Sequence, residues 1–377
     1  MNRNIISLLL VLSIIYACDE KTQNDSKNKY IVNVNGVDQY GLELQKLNAT
    51  ISKNPDDVNA LVKRGNLSLN HYEFSNAFAD AARAFRLDSN NFEARLLYAS
   101  SLLNSPSRKE MDKIIAQRHF EGLLEQKPKH LKAMIGLANT YALLQDFTNA
   151  LKWIDEAFLV NPKFIDAHIL KGSIYKVRHN ALLGNPEFQK MADALLDSAI
   201  FTYSYITQID PQHHVTYMHL GLLFQQKADS ICLDHYLSAV QIQPENLEYK
   251  YALAFAYGEF GQEREAIRIY EEMIGKDENY FEAYCQMGQI LQFKYQQLDS
   301  AITYYSKVIK KDPFHLDAFV NLGIAYQDKG DITNALKNYA KAISIEPEER
   351  NPLVSIEQFD AQQKMAREGA EELRKRL

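Results

Sequence analysis

The chain is predicted to be all-α, a solenoid of stacked helix hairpins. Three observations predict this: helical spacing of the apolar residues, turn residues that interrupt the spacing, and recurrence of the pattern about every 34 residues. The clearest copy spans residues 316–349. In it Phe319, Leu322 and Tyr326 lie at helical intervals and share one face, and Ala335, Tyr339 and Ala342 do the same on a second helix. Asp328-Lys329-Gly330-Asp331 separates the two, with Gly330 suited to positive φ. Pro347 ends the second helix, because its ring cannot continue the hydrogen-bond ladder. Small residues at Gly323 and Ala335 are expected to let the helices approach closely, so that a Leu at either would cost about 1–3 kcal/mol. Any amphipathic hairpin shares these local features; repetition is what makes a solenoid.

Residues 1–17 differ in kind from the rest. Arg3 gives a short basic start, Ile5 to Ile15 form an apolar run too short to span a bilayer, and Ile15-Tyr16-Ala17-Cys18 ends it. The segment resembles a bacterial lipoprotein signal peptide. That resemblance implies cleavage before Cys18 and lipidation of Cys18, although Tyr16 departs from the small residue usual at its position. An ordinary secretory signal with an incidental cysteine is the alternative. Residues 18–37 read as a flexible tether, polar from Asp19 to Lys29, with a reach of about 25 Å. Asp19-Glu20 resembles the acidic export signal of Bacteroidetes surface lipoproteins, though a plain solvated linker is the simpler explanation of such a pair. The expectation is a cell-envelope lipoprotein of the outer membrane, on its periplasmic or its surface face.

Residues 38–57 carry Leu44, Leu47 and Ile51 at helical spacing before Pro55, and read as a half-repeat capping one end. Eight copies follow, at 58–91, 92–130, 131–164, 165–213, 214–246, 247–280, 281–315 and 316–349. The second holds about five extra residues around Asn104 to Glu110. The fourth holds a surplus at 178–192, where Asn185-Pro186-Glu187 is a helix start. The apolar residues of that surplus, Leu182, Leu183, Phe188 and Met191, are expected either to fold back on the adjacent helix or to present a partner site. Residues 350–377 hold Leu353, Ile356, Phe359, Ala366, Ala370 and Leu373 on one face and end in Arg374-Lys375-Arg376, a solvating helix over the other end.

The motif Phe319-x2-Leu322-Gly323-x2-Tyr326 with Ala335-x3-Tyr339-x2-Ala342 and Pro347, recurring over 58–349, resembles the tetratricopeptide repeat. The resemblance implies a right-handed α-solenoid of about eight hairpins between an N-terminal half-repeat and a C-terminal capping helix. It also implies a concave surface lined by the first helices, at repeat positions 2, 5, 9 and 12.

Composition narrows the function. The 42 basic and 48 acidic residues leave a net charge of −6, or −7 once Arg3 is removed with the signal. No basic stripe fits nucleic acid. With 46% apolar residues the chain is not disordered. Beyond Cys18 only Cys232 and Cys285 remain, too few for a disulfide framework. Cys232 takes a small-residue packing position and reads as core. His213, His214 and His219 are not spaced as a helical metal pair, and no phosphate loop or nucleophile elbow occurs. Asp229-Ser230 and Asp299-Ser300 resemble a short O-glycosylation motif and are more simply helix caps. No enzyme activity, cofactor or metal is expected, and oligomeric state is left open.

Carried over position by position, the later repeats offer Met218, Leu222, Glu248, Tyr251, Phe255, Glu282, Gln289, Gln292 and Ile324 as a partner-binding groove. Cys285 and Val320 share these positions. Position 2 is acidic at Glu93, Asp166, Glu248, Glu282 and Asp317. The Lys/Asn/Arg carboxylate clamp of some family members is not assembled, since Val62, Ile135 and Gly136 fall on its positions. Aromatic residues beside acids point to an extended apolar segment carrying Lys or Arg, with padding between repeats as the structural alternative. The function that follows is a non-catalytic, membrane-anchored scaffold or adaptor for envelope proteins. A glycan- or nutrient-binding lipoprotein of an outer-membrane uptake system is the other reading.

Overall fold

The computed structural model describes residues 39–104, 109–347 and 356–376. Among the described residues there are 18 helices and no strand. The signal segment, Cys18, the tether and Leu353 lie outside the described residues.

The chain forms two compact units, with the boundary between Leu223 and Phe224. In the first, α1 (Gln39–Lys53) precedes α2 (Val58–Asn70), α3 (Phe74–Leu87), α4 (Phe92–Leu103), α5 (Glu110–Gln126), α6 (Leu131–Leu143), α7 (Phe147–Val160), α8 (Ile165–Leu182) and α9 (Gln189–Ile209). The boundary falls inside α10 (His214–Gln226). The second unit continues with α11 (Ile231–Ile242), α12 (Leu247–Glu259), α13 (Glu263–Lys276), α14 (Phe281–Phe293), α15 (Leu298–Lys311), α16 (Leu316–Asp328), α17 (Ile332–Ile343) and α18 (Ile356–Arg376).

Within each unit consecutive helices pack as hairpins, and several first helices also touch the next first helix, as α2 does α4 and α12 does α14. Stacking of this kind buries a continuous strip instead of a central ball. In the first unit the strip runs through Leu61, Leu97, Phe120, Leu137 and Ile154. In the second it runs through Tyr305, Leu322 and Tyr339 to Phe359 and Leu373 of α18.

Local chemistry sets the helix ends. Asp57, Asn91, Asp146 and Asp331 each accept a bond from the backbone N–H three residues on, at 3.0–3.1 Å. His130 and His315 do the same through Nδ1, to Ala133 and Ala318, each at 3.3 Å. The turns inside the hairpins share one geometry. Glu73 N–H donates to the Ser68 carbonyl (2.8 Å), Asp146 to Tyr141 (2.9 Å), Gln262 to Tyr257 (2.8 Å) and Asp331 to Tyr326 (2.9 Å), the 6→1 bond of a Schellman stop. The motif needs one left-handed residue. Gly330 (φ 80°) and Gly261 (φ 75°) supply it, but so do Tyr72 (φ 60°), Gln145 (φ 62°), Ala228 (φ 53°) and Gln296 (φ 57°).

The expected close approach at Gly323 and Ala335 takes a different form. Gly323 faces the ring of Tyr339 across the hairpin, and Gly288 faces Tyr305 in the same way. A β-carbon built on Gly172 would stand 2.7 Å from the Tyr203 ring. Each glycine is thus a socket for an aromatic ring of the second helix, and Ala335 is simply buried.

The surplus at 178–192 lengthens both helices of its hairpin. A 3₁₀ turn, Pro186–Phe188, leads into α9. Leu183, Phe188 and Met191 are exposed and do not fold back on a neighbouring helix.

Candidate partner-binding surface

The expected groove residues divide between the units. Met218 and Leu222 belong to the first, where both are buried. In the second, Glu248 and Tyr251 come from the first turns of α12, Phe255 from one turn later, and Glu282 from the first turn of α14.

Tyr251 organises this part. Its ring centre lies 6.3 Å from that of Phe255, 6.0 Å from Tyr270 and 5.9 Å from Tyr280. Gln286 Nε2 donates to the Tyr251 hydroxyl at 3.3 Å. Phe255 is only 8% exposed and Tyr251 is half-buried. Of the two readings of these rings, padding between repeats fits Phe255, while Tyr251 stays half-buried beside Tyr280 and Gln286. Gln292 is corrected more strongly. It is 1% exposed, accepts the Tyr305 hydroxyl bond (3.2 Å) and donates to Asp328 (2.7 Å), so its amide serves the fold. The same holds for Gln327, which accepts from the Tyr339 hydroxyl at 2.9 Å. Ile324 is half-buried against the C-terminal core, Gln289 is half-buried, and Cys285 and Val320 are buried.

Charge remains at this surface. Burial pushes the hydroxyls of Tyr251 and Tyr280 far up, and the acids that begin successive first helices add to it, Glu282 for both, Asp317 for Tyr251 and Glu248 for Tyr280. Burial also pushes the Asp317 carboxyl up, with Glu282 adding to it and His315 opposing. Among the described residues neither Glu282 nor Asp317 has a Lys or Arg within ion-pair distance. Half-buried carboxylates beside aromatic faces make a cation-seeking surface. Tyr280 and Gln286 were missed by the position rule, because one precedes α14 and the other lies off its groove face.

Nothing here resembles a catalytic group. Burial pushes the Cys232 thiol up to about 12, and Cys285 is raised as well, so neither is a ready nucleophile. Among the described residues no cluster of His, Cys, Asp or Glu could hold a metal. His213 Nδ1 lies 2.7 Å from Thr216 Oγ1. Asp229 Oδ1 accepts from Ile231 N–H (3.0 Å), a local cap, whereas Asp299 takes Lys329 Nζ at 2.5 Å and does not cap. Trp153 packs half-buried on the core and offers no sugar platform. No helix of the described residues is long and apolar enough to cross a membrane.

Helix hairpins stacked through their first helices define a helical-repeat scaffold. The repeat is the tetratricopeptide repeat: models described by that name match residues 115–159, 281–315 and 316–349, so the chain carries tetratricopeptide repeats at those residues. No curated protein matches its sequence. Among solved structures, human IFIT1 with m7Gppp-AAAA is similar at 15% identity and a TM-score of 0.53, over 81% of this chain and 67% of that one. Human IFIT1 with PPP-AAAA gives 15% and 0.52, over 81% and 68%. MamA is 25% identical over 42% of this chain and 94% of its own, at a TM-score of 0.37. The likeness to IFIT1 shows the fold alone. Tetratricopeptide repeats are protein-interaction modules, typically without catalysis.

Proposed function

We propose that this chain is a non-catalytic adaptor of the cell envelope, tethered to the outer membrane by acylation of Cys18. Its second unit binds a protein segment carrying Lys or Arg. The observation that carries the partner chemistry is the pair Glu282 and Asp317 beside the Tyr251 and Tyr280 rings, with no Lys or Arg within ion-pair distance among the described residues. Because Phe255, Met218 and Leu222 are buried, the basic side chain is the main anchor and apolar contacts are secondary. A buried cation–π contact with a carboxylate at hand is worth about 2 kcal/mol.

The test is crosslinking of the lipidated protein in its membrane, read by mass spectrometry, for wild type and Glu282→Gln with Asp317→Asn. The expected result is a small set of envelope proteins joined through segments bearing Lys or Arg, lost in the variant at unchanged helix content. An unchanged partner set in the variant refutes the surface. Absence of protein partners with carbohydrate retained refutes the adaptor.

A further inference from the structure

A second surface of opposite sign lies on the other side of α16. The side chains Phe319, Leu322 and Tyr326 point away from the helix face that carries Asp317 and Ile324, since residues 322 and 324 are about 200° apart on a helix. Half-buried Tyr326 and Ile309 of α15, over the buried Phe319 and Leu322, line a groove of about 500 Å³ whose other wall is α17. Lys337 and Lys341 stand on its α17 rim, both exposed.

The charge on this rim is unbalanced. Elsewhere in the same unit Lys276 meets Glu245 at 2.7 Å, Lys311 meets Glu278 at 3.0 Å and Lys329 meets Asp299 at 2.5 Å. Among the described residues Lys337 and Lys341 have no carboxylate within ion-pair distance, and Lys341 Nζ sits 5.7 Å from the Phe314 ring centre. Asp331, at the start of α17, is held by Asn334 at 2.7 Å. Lys337 and Lys341 are one helical turn apart, and like charges so placed weaken a helix. Lys341, in the last turn of α17, complements the helix dipole, whereas Lys337 has no such role.

We propose that this groove binds an acidic peptide segment of a protein partner. An aliphatic side chain of the segment rests on Tyr326 and Ile309, and its carboxylates meet Lys337 and Lys341. The second unit then offers two docking surfaces of opposite charge on opposite faces of α16.

The probe is a random 12-residue peptide display library selected against the full chain. The expected outcome is enrichment of peptides with Asp or Glu beside Leu, Ile or Val. Their Kd should weaken at least tenfold in K337Q/K341Q, recover in K337R/K341R and weaken with salt, and a carbodiimide should join them to Lys337 or Lys341. Basic peptides sensitive to Glu282→Gln and Asp317→Asn would report on the other face and leave this groove to be judged by the acidic class. The proposal is overturned if no acidic class is enriched, or if such peptides bind K337Q/K341Q with unchanged Kd. It is also overturned if the lysines respond only to vesicles of phosphatidylcholine and phosphatidylglycerol, since the ligand is then a lipid surface. Circular dichroism of the variants confirms that the exposed substitutions leave the fold intact.

Discussion

Replacing Gly172 by Ala tests whether the glycines are ring sockets. The new β-carbon would lie 2.7, 2.8 and 3.0 Å from three atoms of the Tyr203 ring. Carbon atoms prefer about 3.5–4.0 Å, so the ring must retreat by close to an ångström. It has little room, being fully buried, within 3.0 Å of Ser173 Oγ through its hydroxyl and stacked on His219 at 4.9 Å. Overpacking of this kind costs about 1–3 kcal/mol, and Ala recovers up to about 1 kcal/mol of helix propensity. The net expectation is a loss of about 1–2 kcal/mol, or roughly 2–8 °C in the melting of the first unit. Gly258→Ala is the control. Nothing lies within 4 Å of its β-carbon, so the same change there should be neutral or slightly stabilising. Thermal melts by circular dichroism, with a double-mutant cycle adding Tyr203→Leu, measure both. Melting of Gly172→Ala at or above wild type, or additivity with Tyr203→Leu within about 0.5 kcal/mol, refutes the socket.

The left-handed turns give a second expectation: Gln145→Gly and Gln296→Gly should each raise stability by about 0.5–1 kcal/mol, because a β-carbon is strained at φ 62° and 57°. A lower melting temperature for either sinks that account. Asp80 is buried and takes both Arg64 Nε (2.7 Å) and Nη2 (2.6 Å), while Arg64 Nη1 reaches Asn48 of α1 at 2.7 Å. Asp80→Ala should cost about 1–3 kcal/mol, and hydrogen exchange should rise across α1 to α3 before the rest of the unit. Burial lowers the pKa of His119, His130, His168, His214 and His235, so the folded state binds fewer protons than the unfolded chain. Their contribution is complete above the unfolded value of about 6.5 and is lost as pH falls below it. Melting temperature should therefore decline between about pH 6.5 and 5, less steeply in His130→Asn, which keeps a cap without the titration. A flat profile over that range contradicts it.

The hairpin pattern was legible because it is local: Phe319, Leu322 and Tyr326 announce their helix without reference to anything distant. So was the Gly330 turn. Tyr72, Gln145, Ala228 and Gln296 adopt the same left-handed conformation unannounced, since the helix stop, not the side chain, imposes it. Gly323 announced a close approach but not what approaches, because the Tyr339 ring arrives from the other helix. Family positions located Glu248, Tyr251, Phe255 and Glu282 together, yet their exposure depends on Tyr280 and Gln286, about 30 residues further on. Gln292 reads as a groove amide until Tyr305 and Asp328 are seen to hold it. Lys337 and Lys341 read as a solvated face; only the packing of α15, α16 and α17 makes them a rim.

An acid in the first turn of a helix has an ordinary structural explanation, since it complements the partial positive charge there. That explanation makes a demand on sign: a carboxylate serving the dipole is stabilised when ionised, and its pKa falls. Glu73 and Asp331, at their helix ends, are each held below the usual value: burial raises the first, but hydrogen bonds from Tyr40, Asn76 and Ser68 together outweigh it, and the Asn334 backbone and side chain bond the second. Asp317 does the reverse. Its carboxyl is raised because burial outweighs every favourable contact, with Glu282 adding a like charge. Asp317 therefore gives less to its helix when ionised than a solvated acid would. A cation arriving between Glu282 and Asp317 reverses the balance. It supplies the missing charge, lowers the carboxyl again and turns a local cost into binding energy, which is how a surface weak in isolation becomes selective for its partner.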